Sequence, residues 1–255
     1  MKNKYKVIHV IPSPCGGGAE LLVRELTKKT NELGINCKAI YFNNWSECSK
    51  TINLSNDEQI LNLNYRNPLA MLKLRKLFKL ELIGHSSLIV HAHLTAPFFF
   101  VPLACIGLPV KLVFTEHGTT NKRRNFLIFK YLERVFYNCY DSIIAISEGS
   151  KDSLLNWLGL AISRKVIKIY NGSRFFLYKE RNQLSKCIKF LSVGTLSQEK
   201  GFDRAIKILS NLKDIDWQYE IIGEGPSRPE LENLIISLGL QDKVDLFGWS
   251  SNLEE

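Results

Sequence analysis

The sequence predicts an α/β fold in two successive parallel-sheet units, on three observations. Residues 6–169 alternate short β-branched runs with helical patterns, as a parallel sheet flanked by helices requires. After Tyr170-Asn171-Gly172 the alternation breaks into a polar stretch that runs to Ser185. A strand-like run from Lys189 then restarts it, so residues 1–172 read as one domain, 173–186 as a linker and 187–255 as a second, incomplete domain.

Seven runs in the first part read as strands: KVIHVIP, CKAIYF, QILNLN, SLIVHAH, KLVFTEH, SIIAIS and KVIKIY. Between the first two, Leu21, Leu22, Leu26 and Leu33 fall roughly on one helical face, and Gly34 ends that helix. The Asn-rich span 43–57 reads as a loop. Residues 94–110 are strongly apolar but contain Pro97, Pro102 and Pro109. They fall short of the roughly 20 residues a spanning helix needs, so they read as a buried helix with irregular ends. In the second part KFLSVGTL is a strand, FDRAIKILSNL a helix and QYEIIG a strand that enters the turn Gly223-Glu224-Gly225-Pro226.

The formal charge of +9 favours an acidic partner: nucleic acid, an anionic membrane or a phosphorylated substrate. No nucleic-acid recognition module is visible, and the aromatic residues follow core periodicity, which sets nucleic acid aside. The six cysteines are scattered without a C-x-x-C pair, so neither a zinc site nor a disulfide framework is indicated and a reducing cytoplasm fits. VIHVIP is too short and interrupted for a secretory segment.

Lys200 and Gly201 stand where a helix begins. Free backbone N–H groups, the positive end of the helix dipole and an ammonium can converge there on a diphosphate. Gly223 and Gly225 leave the next turn without side chains, open to a ligand. His117 lies at the carboxyl end of an apolar strand, the rim where open sheets bind substrates. His91 and His93 share a strand face; with no carboxylate or cysteine cluster beside them they read as structural, satisfied by neighbouring backbone, and no metal site is indicated. Gly16-Gly17-Gly18 follows the first strand without the spacing of a dinucleotide fingerprint, and a tight turn is one account of it.

Together VGTLSQEKGFDRAI, YEIIGEGPSRPELE and VDLFGW resemble the donor-domain opening of the retaining glycosyltransferases of the "glycosyl transferases group 1" family. The resemblance implies a GT-B architecture, two Rossmann-like domains facing a cleft. It also implies a retaining transfer of sugar from a nucleoside-diphosphate sugar to an acceptor on the N-terminal domain, without metal or cofactor. By the same resemblance Gly17, Gly18 and, less directly, Glu20 face the donor diphosphate, and Lys200, Gly201, Gly223 and Gly225 bind it. Thr195 stands where the family commonly has an arginine, leaving Lys200 as the diphosphate cation. His117 implies an electrostatic partner for the transferred sugar. Ser147-Glu148 resembles the family's S-E turn, although helix capping by Ser147 or Ser150 accounts for it equally. The family's paired donor-sugar glutamates would follow FGW, and the chain stops at Glu255; these residues alone are therefore expected to transfer little sugar.

Two stretches, PLAMLKLRKLFKLELI and NKRRNFLIFKYLERVF, interleave cations with leucines and aromatics. Lys73, Arg75, Lys76 and Lys79 are the candidate contacts to an anionic membrane on its cytoplasmic face, and a lipid-linked saccharide the candidate acceptor, with surface-polysaccharide assembly as the setting. The alternatives are a GT-B sugar-nucleotide epimerase, which would use cleft carboxylates, and a truncated, non-catalytic fragment that binds acceptor or membrane.

Overall fold

In the computed structural model the first alternation folds into a seven-stranded parallel sheet; residues 5–15, 17–43, 53–83, 87–119, 121–172 and 187–250 are described. Its strands are β1 (Tyr5–Ile11), β2 (Asn36–Tyr41), β3 (Glu58–Ile60), β4 (Ser87–His93), β5 (Val110–Glu116), β6 (Ser142–Ala145) and β7 (Val166–Lys168). Their order is β3-β2-β1-β4-β5-β6-β7, so the direction of winding reverses between β1 and β4. The helices are α1 (Gly18–Glu32), α2 (Pro68–Ile83), α3 (Thr95–Cys105), α4 (Leu127–Cys139) and α5 (Glu148–Leu158). Parallel crossovers are right-handed, which sends α1 to one face and α2 to α5 to the other. Packing follows that rule. Val23 of α1 buries against Ile11, Ala39 and Tyr41, while Leu74, Phe98, Tyr137 and Leu154 bury against Ile8, Val10, Val90, Ala92 and Phe114 on the opposite face.

The apolar stretch at 94–110 is the helix α3, whose C-terminal half contains Pro102. Phe98 organises the aromatic core beneath it, with ring centroids 4.8 Å from Phe114 and 4.5 Å from Tyr137. The Tyr140 hydroxyl donates to the Phe98 carbonyl at 2.8 Å. That bond satisfies a buried phenol inside an otherwise apolar layer.

The chain divides into two compact units, Met1–Ser173 and Arg174–Glu255; the linker read at 173–186 lies outside the described residues. The second unit holds β8 (Ile188–Val193), α6 (Phe202–Leu209), β9 (Trp217–Ile222), α7 (Arg228–Ser237) and β10 (Val244–Gly248). Its parallel sheet has the order β10-β9-β8. Trp217, Tyr219 and Ile221 point inward and alternate with exposed Gln218 and Glu220, the period-2 pattern of a half-buried strand. Phe202, Ile206 and Leu209 of α6, with Leu231 and Ile235 of α7, complete the core.

The cysteine reading needs one correction. Cys15 is disulfide-bonded, whereas Cys37, Cys105, Cys139 and Cys187 are free; spacing along the chain carries no information on which sulfurs the fold brings together.

Phe98→Ala is expected to destabilise the first unit by about 3–5 kcal/mol through the cavity it leaves. Urea denaturation followed by near-UV circular dichroism checks this; a loss under about 1 kcal/mol would show that the aromatic layer collapses to fill the space.

Candidate functional site

Parallel register aligns the histidines. His9 of β1 is the register partner of His91 on β4, and His93 that of Thr115 on β5. Side chains two residues apart on a strand share a face, so His9, His91, His93 and Thr115 line the α1 side of the sheet. His117 follows Thr115 by the same spacing, just beyond the carboxyl end of β5. The reversal between β1 and β4 is the place where open α/β sheets bind ligands.

Three of the rings are hydrogen-bonded in series. His9 Nδ1 meets His93 Nε2 at 2.9 Å, and His93 Nδ1 meets His117 Nε2 at 3.1 Å. His91 Nε2 bonds Thr115 Oγ1 at 2.7 Å. The expectation that backbone satisfies His91 and His93 is thus corrected: other side chains do. Burial lowers the pKa of both His9 and His117 to about 4 and holds His91 and His93 well below the ordinary imidazole value. All four rings are therefore neutral near pH 7. His9, His91 and His93 offer ring nitrogens within 4.8 Å of one another, the nearest approach to a metal-ligand set among the described residues.

The backbone around this row is held from both sides. Leu94, directly after His93, has φ 63° and ψ 178°, a combination that glycine alone adopts readily and that costs other residues on the order of 1–3 kcal/mol. Packing of its side chain against the Ile11–Val23–Ala39–Tyr41 cluster holds the turn. Glu116, next to His117, is buried; it accepts from the Tyr137 hydroxyl and pairs with Arg124 Nη2 at 3.1 Å. Arg123 and Arg124 in turn lie against the fully buried Glu133. Sequence reasoning did not pick out His9, Thr115 or Glu116, although the period-2 alignment of His9 with the H-x-H and T-x-H strands was there to be read.

Gly17 and Gly18 are exposed at the start of α1, and the Glu20 carboxylate lies 3.2 Å from where a Gly17 Cβ would stand. Burial raises the Glu20 pKa. At α5 the capping account of Ser147 is realised: its hydroxyl accepts from the Ser150 N–H at 3.0 Å. Glu148 forms an ion pair with Lys168.

In the second unit Lys200 closes a 3-10 turn, Gln198–Lys200, and Gly201, at φ 68°, is the N-cap of α6. The Lys200 side chain is exposed with its stem beside Gly194, and Thr195 is exposed on the same loop. The Arg204 guanidinium folds over Gly201, 2.7 Å from where a Cβ would stand there. Arg204 is the third residue of α6, a second cation at the helix start that the sequence reading does not pick out. Gly223 and Gly225 have a steric reason to be glycine in addition to the one expected. A Cβ on Gly223 would sit 1.9 Å from the Gly194 carbonyl oxygen, and one on Gly225 would sit 2.4 Å from that of Leu196. Their bareness lets the loop after β9 close against the loop after β8, sealed by Leu196 N–H to Glu224 O and Ser227 N–H to Leu196 O. A groove of about 480 Å³ between α6 and α7, lined by Gln198, Phe202, Arg204, Lys207 and Glu230 among others, includes none of Lys200, Gly223 or Gly225.

Of the four cations on α2, Lys73 donates to the Leu61 carbonyl and Arg75 to those of Ala104 and Ile106; Arg75 thereby caps the end of α3. Lys76 and Lys79 are exposed. No helix among the described residues is long and apolar enough to cross a membrane.

The Glycosyltransferase Family 4 model matches residues 16–173, and the Glycosyl transferases group 1 model matches residues 174–255. An alpha-D-kanosaminyltransferase of Streptomyces kanamyceticus is 27% identical over 187 residues, covering 64% of this chain and 48% of the relative. A Campylobacter jejuni protein, N-acetylgalactosamine-N,N'-diacetylbacillosaminyl-diphospho-undecaprenol 4-alpha-N-acetylgalactosaminyltransferase, is 32% identical over 155 residues, covering 57% and 42%. The chain spans about half the length of these curated relatives. The crystal structure of Anabaena HepE in complex with UDP and glucose has a TM-score of 0.75 at 19% identity, covering 96% of this chain and 70% of that one, and it establishes likeness of fold.

The depressed histidines set a pH dependence. Between about pH 6.5 and about pH 4 the unfolded chain binds protons at His9 and His117 that the folded chain does not, so stability is lost as pH falls through that window. The urea midpoint of the wild type is expected to drop more between roughly pH 7 and pH 4.5 than that of His9→Gln. Equal drops would show that His9 is protonated in the fold without penalty.

Proposed function

This chain belongs to Glycosyltransferase Family 4, and on that premise we propose that it moves a sugar from a nucleoside-diphosphate sugar to a saccharide acceptor, with retention. The observation that carries the reading is the placement of Lys200 at the start of α6, with Arg204 folded over Gly201. The diphosphate would take the free N–H groups of that helix start, the Lys200 ammonium and the Arg204 guanidinium. Arg204 then supplies the second cation that Thr195 does not. Gly201 contributes a backbone that can approach an anion, and Gly223 and Gly225 act one step removed by holding the loop that carries Thr195. In the first unit Gly17, Gly18 and Glu20 stand at the start of α1, where a ligand at the sheet's carboxyl ends would meet them. Ser147 and Glu148 mark the corresponding start of α5.

His117 suits the reaction because it is neutral. A sugar leaving its diphosphate develops positive charge at the anomeric carbon, which an imidazolium beside it would oppose. A neutral ring, kept so by burial with a pKa of about 4, can accept a hydrogen bond from a sugar hydroxyl without adding charge.

A lipid-linked acceptor at an anionic membrane on its cytoplasmic side, in surface-polysaccharide assembly, is the reading we favour for the partner. Leu127, Ile128, Tyr131 and Val135 are exposed along α4, and Lys76 and Lys79 are exposed on α2. The similarity to a relative named for a diphospho-undecaprenol acceptor supports it.

Calorimetry with UDP as the probe tests the donor site. Lys200→Ala and Arg204→Ala should each weaken binding about 10- to 100-fold, the loss of one charge-assisted hydrogen bond; unchanged affinity in both would remove the α6 start from the site. For the membrane, sedimentation with phosphatidylglycerol vesicles should decline with salt and with Lys76→Glu/Lys79→Glu. Binding that is indifferent to both salt and these substitutions would locate the contact elsewhere.

A further inference from the structure

His93 has both ring nitrogens committed, Nε2 to His9 at 2.9 Å and Nδ1 to His117 at 3.1 Å. A neutral imidazole carries one proton and one lone pair. If His93 donates to His117 it must accept from His9, and if it accepts from His117 it must donate to His9. The two shared protons are therefore correlated, and the series has two arrangements. In one, His117 holds its proton on Nδ1. In the other, His117 donates from Nε2 to His93, which donates to His9, and His117 Nδ1 presents a bare lone pair.

We propose that His93, backed by His9, is a positioning residue that sets the tautomer and ring plane of His117, so that His117 presents Nδ1 as an acceptor. The inference rests on the reading of His117 as the group beside the sugar. Three further observations support it. His9 and His93 are 4% and 1% exposed, so water does not compete for the links. The carboxylate adjoining His117, Glu116, is already engaged by Tyr137 and Arg124, and His91 is tied to Thr115. Among the described residues, the side chain bonded to the His117 ring is that of His93. The strained turn at Leu94 fixes the backbone immediately after His93. A metal ion on His9, His91 and His93 would have to take a His93 nitrogen from His9 or from His117; the two direct bonds favour shared protons.

Histidine ring 15N spectra of the wild-type chain near pH 7 test the inference without a substitution, because protonated and bare ring nitrogens differ in shift and one-bond coupling. His117 should show one tautomer, with the proton on Nε2. His93→Phe, which keeps a ring but cannot bond, should leave His117 in mixed tautomers. In a form extended through a complete, family-length donor domain it should also lower kcat for UDP-sugar hydrolysis about tenfold or more, with KM and UDP affinity within about twofold. His93→Asn, whose amide oxygen can stand near Nδ1, should recover the single tautomer and much of kcat. A His117 already mixed in the wild type, or unchanged in His93→Phe, would overturn the proposal. Stoichiometric zinc in the purified wild type, lost in His9→Phe, would overturn it in favour of a metal centre. His117→Ala serves as the reference: turnover unaffected by that substitution would defeat the role of His117 itself, whereas turnover lost there and retained in His93→Phe would defeat only the role of His93.

Discussion

The pairing register between β1 and β4 is the constraint on which the first unit's site depends. With His9 opposite His91, the row His9, His91, His93 and Thr115 falls on one face, while Ile8, Val10, Val90 and Ala92 fall on the other and enter the core. A slip of one residue would exchange the two sets. It would bury polar rings among the aromatic residues of α3 and α4 and place aliphatic side chains at the sheet's switch point. Burial of the apolar set, which fixes the register, thus also delivers the histidines to the rim. Their neutrality follows from the same burial, and neutrality is what allows imidazoles to bond in series.

Much of this was legible in the sequence. The strand runs read in both units fall on strands, because β-branched runs bounded by polar turns report directly on a parallel sheet; QILNLN alone runs well past its strand, since β3 ends at Ile60. His117 stood out by its place at a strand's end. His9 did not, because its significance lies in cross-strand register, which a single strand does not display. The partners of His91 and His93 were misread as backbone for the same reason: Thr115 and His117 reach them only through the pairing of β4 with β5. Arg75 resembled a membrane cation along the chain and is a cap for α3 in the fold, since helix periodicity does not reveal which carbonyls lie opposite.

The second unit shows one motif serving two ends. Gly223 and Gly225 are required by carbonyls of the neighbouring loop at distances that no Cβ could accept. The same closure shapes the loop that carries Thr195 and leads to Lys200. If the proposed donor site is right, structure and ligand binding are linked at these glycines, and a sequence motif alone does not separate them. Arg204 shows the converse: a cation three residues beyond Gly201 folds over it, and the motif as read along the chain does not mark it.

The central claim is that the start of α6 receives the donor diphosphate. A crystal structure of the chain with UDP tests it most directly. The account predicts both phosphates within hydrogen-bond distance of the α6 N-terminal backbone and of Lys200 Nζ or the Arg204 guanidinium. A diphosphate bound elsewhere, such as between α6 and α7 against Lys207, with Lys200 and the helix start untouched, would contradict it.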